Sequence, residues 1–247
     1  MLYNILAIGD VVGGCGVSCL ERHLRAVKKL KNIHFTVVNG ENAAMVGLTP
    51  NDAERIFSAG ADVITLGNHS FGKMQITDYL DDCPYILRPH NLGARVPGRG
   101  YGVFDCGRAR IAVMNLIGRC DLAFHADNPF KTADELLKSG EKPTFTLLDF
   151  HAEATSEKLA MAYYLDGRVS AIWGTHTHVP TADEEVFPKG TGYLTDLGMT
   201  GAVRSVLGIK PEQSVETFLG GLPGRYREPE KSAGKMQGAV SYTHLTL

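Results

Sequence analysis

Side chains able to bind a metal recur directly after short apolar runs. Tyr3–Ile8 leads into Gly9-Asp10, and His34–Val38 leads into Asn39-Gly40-Glu41-Asn42. Asp62–Leu66 leads into Gly67-Asn68-His69, and Thr144–Leu148 into Asp149-Phe150-His151. Val169–Trp173 ends in Gly174-Thr175-His176-Thr177-His178. Each residue has an ordinary explanation taken singly: Asp10 as a turn residue, Asn68 bonding its own backbone, His151 as a satisfied core histidine. Their common placement argues otherwise, because ligands in open α/β sheets bind at the carboxyl ends of strands. His176-x-His178 puts both imidazoles on one side if the segment is extended. Imidazoles (His151, His176, His178), carboxylates (Asp10, Glu41) and amide oxygens, with no thiolate, suit Fe, Mn or Zn. The histidines disfavour calcium. Glu41 has a carboxylate able to bridge a metal pair about 3.5–4 Å apart. Two divalent ions, offset by Asp10, Glu41 and a hydroxide, leave one positive charge, the complement of a phosphodiester monoanion.

The elements that must position these residues alternate apolar strand and helix. Helices are expected at Val17–Leu30, Asn51–Ala59, Gln75–Asp81 and Glu153–Leu165, with Thr49 capping and Pro50 opening the second. Tyr101–Cys106 with Arg110–Asn115, and Glu184–Phe187 with Gly192–Thr195, read as hairpins. A polar excursion spans about 119–143, with an amphipathic piece at Ala133–Lys138. Together these describe one α/β domain over residues 1–247. A net charge of −2 argues against a broad nucleic-acid-binding surface. The longest apolar runs are too short to span a bilayer, and the N-terminus shows no leader pattern. Five cysteines without C-x-x-C spacing point to a reducing cytoplasm. Gly9-x-x-x-Gly13-Gly14-x-Gly16 follows a strand but fits neither a dinucleotide fingerprint nor a phosphate loop.

These segments, with Gly9-Asp10-Val11-Val12-Gly13, Asn39–Ala44, Asp149–Lys158 and Thr195–Gly201, resemble the calcineurin-like metallophosphoesterases, specifically the bacterial YmdB-like branch. The resemblance covers roughly residues 2–228 and implies a layered α/β/β/α sandwich with the metal site at strand C-terminal ends. It implies one metal held by Asp10, Glu41, Asn42 and His178, and another by Glu41, Asn68, His151 and His176. The metals would be two divalent or mixed-valence ions, Fe or Mn first and Zn next. A metal-bridging hydroxide would attack the phosphorus of a cyclic nucleotide, 2′,3′ or 3′,5′. His69, turned away from the metals, would protonate the leaving oxygen. The broad superfamily carries a second ligand two residues after its first Asp; Val12 stands there, and Asn42 takes the role in this branch. Phe71-Gly72 replaces the usual aromatic-Asp, and Arg88 or Arg99 are candidates for phosphate contact. From about Ser232 the pattern fades, and Ser241–Leu247 does not read as the closing strand, which would leave a sheet edge open. His244 is not counted as a ligand. The resemblance also implies a dimer or tetramer. The alternative reading is a regulatory protein that keeps the metal site but acts by binding RNA or protein.

Overall fold

The apolar runs form strands, and their alternation sorts them into layers. The structure is a computed structural model and describes residues 2–122, 125–138, 142–222 and 224–244. Parts of the excursion, 123–124 and 139–141, lie outside these, as does 245–247. In chain order the first half carries β1 (Leu2–Ile8), β2 (Asp10–Val11), α1 (Gly13–Leu30), β3 (Phe35–Asn39), α2 (Pro50–Ala59), β4 (Val63–Thr65), α3 (Ile76–Asp82) and β5 (Ile86–Leu87). A 3-10 turn at His90–Leu92 leads to β6 (Tyr101–Asp105), β7 (Arg110–Ile117), α4 (Pro129–Leu137), β8 (Phe145–His151), α5 (Thr155–Leu165) and β9 (Ala171–Thr175). The chain continues through β10 (Glu185–Val186), β11 (Gly192–Leu194), β12 (Met199–Ala202), α6 (Pro211–Phe218), β13 (Gly234–Lys235) and β14 (Gly238–His244).

One sheet has the order β14-β1-β3-β4-β5 and a second β10-β11-β9-β8-β7-β6; a small third sheet joins β13, β12 and β2. Side chains alternate across a strand, and both large sheets use both faces. Leu6 and Ile8 of β1 pack with Leu20, Leu24 and Ile56 of the helices, while Tyr3, Ile5 and Ala7 face the second sheet. In that sheet Ile111, Val113, Phe145 and Leu147 face inward, while Met114, Leu116, Leu148 and Phe150 pack beneath Met161, Ala162 and Leu165 of α5. The result is the expected α/β/β/α sandwich. Among the described residues no helix is long and apolar enough to cross a membrane.

The departures have local causes. α1 begins at Gly13 rather than Val17, because its first N–H groups are capped from a distance: Glu228 Oε1 accepts from Gly14 N at 2.7 Å and Oε2 from Cys15 N at 3.0 Å. α4 starts early because Asn128 accepts from Phe130 N at 3.0 Å and Pro129 follows it. β8 runs on through His151, since pairing with β7 and β9 continues to Ile117↔His151 and His151↔Thr175. The C-terminus corrects the expected open edge. β14 pairs antiparallel along the whole of β1, from Leu2↔His244 to Ile8↔Gly238. Its Ser, Thr and His residues hide the strand pattern; an edge strand needs little apolar surface, and Ala239 and Val240 supply it to the two cores.

Candidate metal centre

Parallel pairing makes β1, β3 and β4 of one sheet and β8 and β9 of the other end on the same side, so their terminal residues meet. The approach is close. A Cβ on Gly67 would lie 2.3 Å from both Glu41 Oε2 and His151 Nε2, so only glycine lets the β4 end pass these donors.

On one side the cluster consists of acceptors. His151 Nε2 lies 2.8 Å from Asn68 Oδ1, 3.1 Å from His176 Nδ1 and 3.4 Å from Glu41 Oε2. Carboxylate and carbonyl oxygens offer only lone pairs, and each imidazole spends its N–H elsewhere. His151 Nδ1 donates to Thr175 Oγ1 at 2.9 Å, because that hydroxyl gives its own proton to Asp149 Oδ1 at 2.7 Å. His176 Nε2 donates to Glu153 Oε2 at 2.9 Å. Facing lone pairs repel unless a cation lies among them. Donor atoms of Glu41, His151 and His176 fall within 4.8 Å of one another, close enough to share one ion.

On the other side, His178 Nδ1 donates to Leu207 O at 3.4 Å, leaving Nε2 3.2 Å from Asn42 Nδ2 and 3.8 Å from Asp10 Oδ1. Asp10 is fully buried, and among the described residues its Oδ1 has no hydrogen-bond partner. Burial, then the charges of Glu41 and Asp196, push its carboxyl well above the usual range. An orphaned carboxylate oxygen in a dry site calls for a cation. Asn42 Nδ2 donates to Glu41 Oε1 at 2.9 Å, so Glu41 touches both groups of donors. Burial opposes the ionised Glu41 carboxyl, but hydrogen bonds from the His69 ring and backbone N–H help hold it below the usual range. Burial pushes His151 down to about 3 and also lowers His178, keeping both in the neutral, ligating form.

All the expected site residues converge, and some details differ. The His176–His178 segment is not extended: φ is 101° at His176 and 65° at His178, so the left-handed backbone, rather than strand alternation, aims both rings inward. His69 does not turn away; its Nδ1 lies 3.2 Å from Glu41 Oε1, drawn by the carboxylate, and this hydrogen bond raises its pKa. It is also the histidine of the cluster most open to solvent, with 36% of its side chain exposed. Arg88 is a structural staple, its guanidinium donating to the backbone oxygens of Pro89 at 2.8 Å and His90 at 3.1 Å. The cluster opens onto a cleft of about 200 Å³ whose lining, among the described residues, includes neither Arg88 nor Arg99. A larger groove of about 940 Å³ between β9, β11 and β14 holds none of the donors.

A buried network supports the donors from below. Asp149 is buried, accepting from Thr65 Oγ1 at 2.5 Å, Thr175 Oγ1 at 2.7 Å and Asn39 Nδ2 at 3.2 Å. Lys158 lies on the apolar face of α5 with Met161, Ala162 and Leu165, and pairs with buried Asp196 at 2.7 Å. Asp196 Oδ2 also accepts from Thr177 Oγ1 at 2.8 Å, between the two histidines. A lysine at i with apolar residues at i+3, i+4 and i+7 is a signal that sequence can carry.

The chain matches the family model described as "YmdB-like protein" over residues 6–245. It is 46% identical over 229 residues, 92% of this chain and 86% of the relative, to the 2′,3′-cyclic-nucleotide 2′-phosphodiesterase of Bacillus subtilis. Among solved structures it resembles a novel phosphatase from Mycoplasma pneumoniae, at 34% identity and TM-score 0.90, covering 98% of this chain and 88% of that one. It also resembles a hypothetical protein of Thermus thermophilus, at 35% identity and TM-score 0.87, covering 97% and 99%. The match to residue 245 extends the family pattern past Ser232, where it was expected to fade. With a family match over nearly the whole chain and 46% identity to the Bacillus relative, the chain belongs to the YmdB-like protein family.

Proposed function

We propose that the protein is a metal-dependent phosphodiesterase acting on a cyclic nucleotide, with Glu41 shared between two cation subsites. The observation that carries this reading is the acceptor-only cluster of His151 Nε2, His176 Nδ1, Asn68 Oδ1 and Glu41 Oε2. Those residues suit one divalent ion; Asp10, Glu41, Asn42 and His178 suit a second, once the Asn42 amide turns its oxygen inward. Fe or Mn fits the donors best, and Zn fits next. Bound ions would supply Lewis acidity toward phosphoryl oxygens and lower the pKa of water. His69, open to the cleft and with its pKa raised by the hydrogen bond to Glu41, supplies the proton for the leaving oxygen. Thr175, Glu153 and the Leu207 carbonyl fix the ring orientations and tautomers. The Bacillus relative's name supports the 2′,3′-cyclic class of substrate. The five free cysteines fit a cytoplasmic location.

The test is purification without chelator, metal quantification, and assay of bis-p-nitrophenyl phosphate and 2′,3′-cyclic AMP with Mn or Fe(II). About two metal ions per chain, with turnover lost in His151→Ala, is the expected result. Metal without turnover on any diester would place the protein among regulatory binders, and no metal at all would remove the reading.

A further inference from the structure

Beyond the donors, the cleft is walled by Val12, Met45, Val46, Leu207, Ile209 and Tyr226. This wall carries no lysine or arginine among the described residues, so whatever it holds is recognised by apolar contact and not by charge. Arg225 and Arg227 flank Tyr226 in sequence yet are not part of the lining.

Apart from the histidines, Tyr226 is the one aromatic ring in that lining among the described residues, and its setting is that of a platform. It remains 55% exposed, and among the described residues its hydroxyl has no hydrogen-bond partner. Its backbone is nonetheless clamped. The Gln213 amide of α6 donates to Arg225 O at 2.8 Å and accepts from Arg227 N at 3.0 Å, bracketing Tyr226 on both sides. Lys210 N donates to Arg227 O at 2.9 Å, and Glu228, two residues on, caps α1. A ring with a fixed backbone and an open face is ordered before any ligand arrives, which lowers the entropic cost of stacking on it.

Resting on the phosphodiesterase reading, we propose that Tyr226 is the platform on which the substrate's nucleobase stacks while its phosphate meets the donor cluster. An uncharged planar base matches an apolar wall, and stacking tolerates any base because every base has a π-face.

The experiment compares 2′,3′-cyclic AMP with methyl riboside 2′,3′-cyclic phosphate, which lacks the base, in wild type, Tyr226→Ala and Tyr226→Phe. Tyr226→Ala should raise KM for the nucleotide about tenfold, the scale of one base–aromatic stack, with kcat nearly unchanged. Tyr226→Phe should behave as wild type, and the baseless ester should be indifferent to either change. An equal rise for both esters, no change for either, or equal damage from Tyr226→Phe would overturn the proposal. If Tyr226→Ala does not fold, Tyr226→Leu, bulky but without a π-face, puts the same question. If wild type turns over neither ester, the phosphodiesterase reading falls alone. Stacking is then read from calorimetric binding of adenosine 3′-monophosphate, weakened about tenfold in Tyr226→Ala if the proposal holds and unchanged if it fails.

Discussion

His151 and His178 face the same carboxylate from two kinds of structure. His151 ends β8, paired on both sides, wholly buried, and oriented through Thr175 and Asp149. His178 hangs on a loop with φ of 65° and is anchored by one backbone carbonyl at 3.4 Å. The strand-borne histidine is aimed by a hydrogen-bond ladder that the fold needs anyway. The loop-borne histidine rests on fewer contacts, chiefly the Leu207 carbonyl and, through Thr177, the Asp196–Lys158 pair beneath it. Strand-side changes should therefore show in stability and metal binding together, and loop-side changes in metal binding more than stability.

The largest expected effect tests whether the loop is as free as this contrast suggests. Lys158→Met removes the partner of Asp196, which is 1% exposed and holds Thr177 between the two loop histidines. Leaving that carboxylate buried and unpaired should cost about 3–5 kcal/mol in urea unfolding. Adding Asp196→Asn should recover much of the loss, because the stranded charge is then gone. A cost below about 1 kcal/mol would show that Asp196 finds water, and that the loop is not pinned from below.

Next in size is a pH effect on the strand side. Burial raises the Asp149 carboxyl to about 6 despite its three hydrogen bonds. A raised folded pKa means that the folded state prefers the protonated form. Its stabilisation is complete below the unfolded value near 3.8 and is lost as pH rises through about 6. In metal-free protein, wild type should lose on the order of 3 kcal/mol relative to Asp149→Asn across that window. Parallel pH curves for the two proteins would contradict it.

Asp149→Asn also sharpens the comparison in the metal-loaded protein. Asp149 Oδ1 accepts the Thr175 hydroxyl, which lets Thr175 accept from His151 Nδ1. If an amide nitrogen faces Thr175, the relay reverses: the hydroxyl donates to Nδ1, and the proton moves to Nε2, the atom that faces the other acceptors. Metal affinity should fall about 10–100-fold, the usual scale for a group that orients a ligand. Affinity within twofold of wild type, measured by competition with a chelator, would mean that His151 takes its tautomer from the metal alone.

The same contrast explains what the sequence reveals. The strand side is legible because alternation in Phe145–Phe150 assigns each side chain a face, and Gly67 marks a close approach. Asp149 is visible as a carboxylate on the inward-facing period, but its partners Thr65 and Asn39 come from the other sheet, so its role needs tertiary structure. The loop side is hidden for a related reason. Nothing local announces left-handed φ at His176 and His178, since both are ordinary L-residues whose loop is held by Asp10, accepting from His176 N, and Asp196, accepting from Thr177 N between them. The start of α1 is hidden too, its cap lying 214 residues downstream. Where ladder and period decide, sequence suffices; where a contact distant in sequence decides, it does not.

The smallest expected effect isolates the loop itself. Leu207 holds φ of 52° in a turn closed by Val206 N→Ile209 O at 2.9 Å and Ile209 N→Val206 O at 3.0 Å. Leu207→Gly relieves a left-handed strain of about 1 kcal/mol but gives the unfolded chain about 0.5–1 kcal/mol more entropy to lose. These nearly cancel, so stability should move by less than about 0.5 kcal/mol. The carbonyl that orients His178 survives on a looser turn, and under the proposed two-subsite arrangement an ion on the loop side should bind less than about fivefold more weakly. The strand-side ion should not notice. The readout is metal affinity, because Leu207 also walls the cleft and would shift KM on its own account. Equal weakening of both ions would mean that shared Glu41 couples the subsites so tightly that strand and loop act as one unit.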